Sequence, residues 1–162
     1  MSVEKVREYL RGYGLHERIK EFKVSSATVE LAAAALGTEG ARIAKSISFG
    51  SPDGKCVLVV CAGDVKIDNR KFKDKFAFKP KMLSAEDALA LTGHAVGGVC
   101  PFALPDGVSV YLDESLRRFD IIYPAAGSSS SAIELTPDEL YISSHAIEWL
   151  DVCKPRDAEV NN

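Results

Sequence analysis

At 162 residues, with 46% hydrophobic and 27% charged side chains, the chain is long enough to bury a core without staples, and its composition excludes wholesale disorder. A formal net charge of −3 excludes a generally basic coat of the kind that wraps nucleic acid. The N-terminus has no apolar segment and no stretch is long enough to span a bilayer, so the expectation is a protein without membrane association, working in the cytoplasm.

The opening "SVEKVREYLRGYG" spaces Val3, Val6 and Leu10 as one helical face and stops at Gly12 or Gly14. "RIKEFKV" reads as a short strand. In "SSATVELAAAALG" the serines offer a cap, the alanines favour helix and Gly37 ends it. "RIAKSISF" and "KCVLVVCA" flank "GSPDG", whose turn chemistry predicts a β-hairpin. Its first strand places Ile43, Lys45, Ile47 and Phe49 on one face, leaving a charge in an apolar row.

"VKIDNRKFKDKFA" predicts a helix with Phe72 and Phe76 inward and Lys66, Arg70 and Lys73 outward. "KML" resembles a brief strand before the helix "SAEDALALTG", capped by Ser84 and ended by Gly93. Beyond a Gly- and Pro-rich loop, "VSVYL" is a strand and "DESLRRF" a short helix capped by Asp113. "SAIEL" is another strand, and "TPDEL" opens the last helix with a capping box of Thr136 and Glu139 around Pro137. Interleaved helices, strands and hairpin-like links predict one mixed α/β (α+β) domain over residues 1–154, with "PRDAEVNN" (155–162) as a frayed tail.

Four features bear on function. Lys45 either snorkels to the surface or presents a cation that holds phosphate or polarises a carbonyl. The loop "GHAVGGVCPFALP" (93–105) gathers three glycines, two prolines, His94 and Cys100, the makings of a pocket wall or merely a loop. Here His94 is either a ligand contact or a structural histidine, and Cys100 has no evident third residue to complete a nucleophilic site. "AGSSSS" (126–131) is either a flexible tip or the edge of a polar pocket. Between Val65 and Lys81, seven basic residues face only Asp68 and Asp74, a local cationic surface on an otherwise acidic body that suits an anionic partner. The cysteines form no CxxC pair, so no metal or redox motif is indicated, and they read as reduced core residues.

In order, "ARIAKSISF", "VLVVCAGDVKIDNRKF", "LTGHAVGGVCPFALP", "VYLDESL" and "AAGSSSSAIELTPDEL" resemble the YbaK family of editing domains associated with prolyl-tRNA synthetase, over residues 24 to 154. The GHxxGGxxPF pattern is the most specific piece. The resemblance implies a barrel-like mixed sheet wrapped by helices and a freestanding hydrolase that deacylates mischarged tRNA without metal or organic cofactor. It implies that Lys45, Gly97 and Gly98 carry the chemistry, Lys45 by contacting the terminal nucleotide. It places Gly93, His94, Pro101, Phe102, Gly127, Ser128 and Ser129 around the aminoacyl group.

From the basic stretch itself comes the further expectation that Lys66, Arg70 and Lys73 steer the acceptor end of the tRNA. A synthetase enters only in trans, and the oligomeric state stays open. The turn looks closer to members that remove Ala, Ser or Thr than to Cys-specific ones, from tRNA-Pro or another tRNA. Two rivals remain: a non-catalytic tRNA-binding or regulatory module of the same fold, and a cysteine hydrolase at Cys100.

Overall fold

The computed structural model of the chain describes residues 2–156. Its architecture is organised around the unbroken apolar run "CVLVVCA", which cannot face water on either side. This run forms strand β3 (Cys56–Ala62), buried at every position. On one flank β3 pairs antiparallel with β2 (Ile43–Gly50), from Ala44 opposite Ala62 to Gly50 opposite Cys56. The "GSPDG" turn closes this hairpin: the Asp53 carboxylate accepts from the Lys55 amide at 3.0 Å, and Gly54 takes φ +83°. On the other flank β3 pairs in parallel with β5 (Val108–Asp113). Two-residue strands β6 (Tyr123–Pro124) and β8 (Trp149–Leu150) complete a five-stranded sheet in the order β6-β2-β3-β5-β8.

Two ribbons extend it. Strands β1 (Ile19–Glu21) and β7 (Ser131–Ile133) pair antiparallel and join the main sheet through bridges Ala125–Ala132 and Ile122–Leu135. Strands β4 (Val65–Ile67) and β9 (Cys153–Pro155) form the other, with Val65 opposite Pro155.

Helices cover the sheet where their apolar stripes demand it. Helix α1 (Ser2–Arg11) buries Val6 and Leu10 completely, and α2 (Val29–Leu36) packs Ala32 and Ala33 near Ile43. Helix α3 (Asn69–Phe76) inserts Phe72, whose ring lies 4.8 Å from that of Phe49 and 4.5 Å from that of Phe76. Helix α4 (Ala85–Thr92) is capped by Ser84 and ended by Gly93 at φ +80°, while α5 (Pro137–Ser143) carries the full capping box. The one-turn helix Glu114–Arg118 follows its Asp113 cap as predicted. No helix among the described residues is long and apolar enough to cross a membrane.

Four expectations need correction. Lys66 lies in β4, not on the basic helix, because Asp68 accepts from the amides of Arg70 and Lys71 and fixes the helix start at Asn69. Thr28, not a serine, caps α2. Strand β8 is too short to show a period and was not foreseen. Strand β9 carries ordered structure through Pro155, and the Arg156 amide donates to the Asp64 carbonyl, so a tail beginning at 155 is set too early. The rest of that predicted tail, 157–162, lies outside the described residues.

Because Leu58 is fully buried at the centre of β3 and Leu89 is half exposed on α4, Leu58→Ala should cost about 3 kcal/mol and Leu89→Ala about 0.5 or less. Urea titrations of the two variants measure this directly, and equal midpoints would contradict the assignment of β3 as the core strand.

Candidate active site

Where β6 separates from β2, a cavity of about 310 Å³ opens between β2, the start of α2, the residues before α4, the glycine loop and β7. Its floor is the β2 segment 43–48. Its walls include Thr28 and Ala32 from the α2 side, Gly97 and Val99 from the glycine loop, and Tyr123 and Ser131 from the fork. The lining is mostly alanine, aliphatic groups and hydroxyls. Among the described residues Lys45 is the only charged one in it, and they bring no carboxylate, imidazole or thiol to it.

Lys45 is half-buried, and its Nζ donates to the carbonyl of Val65 in β4. It forms no direct ion pair among the described residues, although the Asp64 carboxylate, itself bound to Arg118, lies near enough to interact with its charge. A cation held this way beside a largely apolar cavity attracts an anion or a developing oxyanion more strongly than it would in bulk water.

The glycine loop earns its sequence at two positions. Gly97 sits at the cavity with φ +96°, a left-handed conformation that suits glycine. Gly98 lies behind it against the serine turn, where an added Cβ would fall 2.6 Å from Ser128 Cα. The glycine loop and the serine turn therefore meet, backbone against backbone. Of the two glycine amides, however, that of Gly98 is already used, donating to the Ala95 carbonyl at 2.9 Å.

The serine run is a tight turn rather than a loose tip. Ser128 Oγ and Ser131 Oγ are 2.9 Å apart, and Ser128 Oγ accepts from the Ser130 amide. Gly127 takes φ +104° with the Ser2 carbonyl close to where its Cβ would be. The Ser129 carbonyl accepts from both the amide and the hydroxyl of Ser26, which lines the cavity. Thus Gly127, Ser128 and Ser129 hold the wall from behind and do not line it.

His94, Pro101 and Phe102, expected at the aminoacyl group, are buried and also stand behind the wall. His94 Nε2 lies 2.8 Å from the Phe102 carbonyl, which can only accept, so the proton resides on Nε2. Nδ1 then accepts from Ser2 Oγ at 2.5 Å. Burial, aided by the nearby Lys5 charge, holds the imidazole pKa below its ordinary value despite the Phe102 bond. Gly93 supplies the left-handed exit of α4 just before it.

The same bonds exclude a cysteine hydrolase. Cys100 Sγ is 3.5 Å from His94 Nε2, but that nitrogen carries a proton and faces the carbonyl, so it cannot take one from the thiol. Complete burial pushes the Cys100 pKa up to about 12. All four cysteines are buried free thiols.

None of the basic residues from 65 to 81 lines the cavity. Lys71 is bound to Asp151 and the Cys153 carbonyl, and Lys75 to Glu148, while Arg70 and Lys73 are exposed on α3 and Lys66 stands on β4. The local surface is therefore less cationic than its sequence suggests. Missed altogether were the hydroxyls of Thr28, Ser46 and Ser48 at the cavity, whereas Ser131 belongs to the serine run read as a pocket edge and does line it. Ser46 and Ser48 did carry a signal: two polar residues alternating with the apolar row of a buried strand.

A family model described as an aminoacyl-tRNA editing domain matches residues 24–141. The uncharacterized protein YwhH of Bacillus subtilis (strain 168) is 49% identical over 154 residues, covering 95% of this chain and 98% of its own. A proline–tRNA ligase of Pelobacter propionicus is 34% identical over 86 residues, covering 52% of this chain but only 15% of that enzyme. Among solved structures, a candidate trans-editing enzyme for prolyl tRNA synthetase superposes with TM-score 0.86 at 28% identity, over 94% of this chain and 97% of that one. Hypothetical protein APE2540 superposes with TM-score 0.82 at 31% identity, over 93% and 99%.

Two outcomes follow. Gly98→Ala should destabilise the fold by about 2 kcal/mol, since its methyl must displace backbone, and a wild-type urea midpoint would refute the close approach. The depressed His94 pKa means that the unfolded chain binds a proton first as pH falls below about 6.5, so stability is full above that pH and declines below it. The urea midpoint should therefore fall between pH 7 and 5, with a shallower slope in His94→Gln; parallel slopes would count against it.

Proposed function

The chain belongs to the aminoacyl-tRNA editing domain family, and from that premise we propose that it is a trans-editing hydrolase clearing a small amino acid, Ala, Ser or Thr and less readily Cys, from tRNA-Pro or another tRNA. The observation that carries this reading is the cavity itself: about 310 Å³, walled by alanines and hydroxyls, with one cation and, among the described residues, no carboxylate, imidazole or thiol to activate a hydroxyl or a water. That volume lies at the small end for ligand sites and suits a short aminoacyl group.

An aminoacyl ester is activated already, so placement of water and stabilisation of the carbonyl oxygen suffice. The water oxygen bonds to the carbonyl carbon and the bond to the ribose 3′ oxygen breaks. The electron pair stays on that oxygen, which takes up the proton the water gives. The resemblance to the editing domains implies that the neighbouring ribose hydroxyl of the substrate positions the water, which is consistent with a lining that holds no carboxylate or imidazole base among the described residues. Lys45 lies beside the reacting end, where it would hold the terminal nucleotide. Arg70 and Lys73, exposed on α3, are offered as outlying contacts to the acceptor stem, with Lys66 beside them on β4. Delivery of substrate by a synthetase is part of the same proposal.

Deacylation of tRNA charged with Ala, Ser, Thr or Cys should proceed on one or two members of that panel and fall at least about 100-fold in Lys45→Ala, as for removal of one pre-set electrostatic group. Binding of tRNA with no turnover of any substrate would replace the enzyme by the binding module.

A further inference from the structure

The free edge of β2 has a gap one residue long, and the gap faces the cavity. In an antiparallel pair the peptide groups of successive residues point alternately toward and away from the partner strand. Gly50 donates its amide to the Lys81 carbonyl at 3.0 Å, and the Ser48 carbonyl accepts from the Leu83 amide at 3.1 Å, so these residues turn away from β3. At the other end Ala44 stands opposite Pro124, where the β2–β6 ladder stops. Ser46 lies midway in the same alternation and turns its N–H and C=O to the same edge. Among the described residues no strand or bridge residue stands opposite it there. Ser46 lines the cavity, and its Oγ is buried without a hydrogen-bond partner. Buried polar groups are normally satisfied, so a buried hydroxyl without a partner, next to a peptide N–H and C=O that no strand pairs, marks a place built for a ligand.

We propose that the aminoacyl group of the substrate fills this gap as a single-residue β-pair with Ser46. Its α-ammonium donates to the Ser46 carbonyl, and its ester carbonyl accepts from the Ser46 amide. An amino acid ester carries its donor and acceptor on either side of one Cα, the arrangement with which two hydrogen-bonded residues of an antiparallel pair exchange both bonds. The length of the gap selects the occupant: the bonds to Ala44 and Ser48 on either side leave room for one residue and not for a strand. As water adds, the Ser46 amide faces the oxygen that gains negative charge, a role the Gly98 amide cannot take. The hydroxyl of Ser46 is a third contact, for a hydroxylated side chain or an ordered water. This assignment rests on the editing reading above.

The test uses full-length protein in which the residue-46 amide is replaced by an ester through incorporation of the α-hydroxy analogue of serine, next to Ser46→Ala, with urea midpoints to confirm folding. The substrates are the panel member that wild type hydrolyses and its α-hydroxy analogue, lactyl-tRNA for alanyl-tRNA. Each rate is divided by its own uncatalysed rate. The backbone ester should lower kcat about 100-fold, Ser46→Ala less than about 10-fold, and the α-hydroxy substrate should lose most of its enzymatic acceleration. A folded backbone-ester variant with wild-type kcat overturns the pairing, as does a loss in Ser46→Ala equal to that of the ester, which would transfer the role to the hydroxyl. Absence of turnover by wild type on every aminoacyl-tRNA removes the editing reading itself, a result separable from these.

Discussion

The approach of two backbones at Gly98 and Ser128 is the constraint from which the cavity is built. A side chain at 98 would stand 2.6 Å from Ser128 Cα, so the glycine loop and the serine turn can share a wall only with hydrogen at that position. The contact sets Gly97 at the rim, and the Ser129 carbonyl carries the segment from Ser26 toward α2 into place. His94 braces the loop from beneath, bound on one side to its far end at Phe102 and on the other to Ser2 at the start of α1. A histidine serving this way is neutral, and the low dielectric around it keeps it so.

The floor has a different origin, a fork in the sheet. Pro124 has no amide to offer, and the chain beyond it turns to pair Ala125 with Ala132, so β6 leaves β2 after one short ladder. The fully buried β3 keeps β2 flat against the core while its other edge opens. Alternation then separates two functions on adjacent residues. Lys45 sends its side chain to the Val65 carbonyl, and Ser46 turns its peptide groups to the opening. Val65 is itself held by Pro155 of β9, so the far end of the chain helps to position the one charge in the cavity.

Elements specified by neighbouring residues were legible from sequence alone. Helices α1, α4 and α5 announce themselves by spacing and caps, and the hairpin by "GSPDG" between two apolar runs. Elements that exist only through a distant partner were not: β4 needs β9 from 88 residues later, and β8 needs Leu112 and Asp113. The site divides along the same line. Lys45 and Gly97 carried local signals, an odd charge in a strand and a glycine among glycines, and both line the cavity. His94 and Cys100 looked reactive because residue type does not reveal burial. The basic run looked more cationic than it is because Asp151 and Glu148, which neutralise Lys71 and Lys75, lie far away in the chain.

His94 and Cys100 also show why proximity does not make a catalytic pair. They are 3.5 Å apart, yet burial raises the thiol's pKa while a carbonyl holds the imidazole proton on the nitrogen that would have to accept. What the cavity offers instead is fixed geometry: an anchored cation, an open peptide edge and small hydroxyls. Groups of this kind need no proton transfer to be ready and little reorganisation when charge develops. They suit a substrate bond that is already labile, and they would be poor tools for an unactivated amide, whose cleavage demands a strong nucleophile and a proton for the leaving nitrogen. The restraint of the lining thus favours an ester over an amide as the bond cleaved.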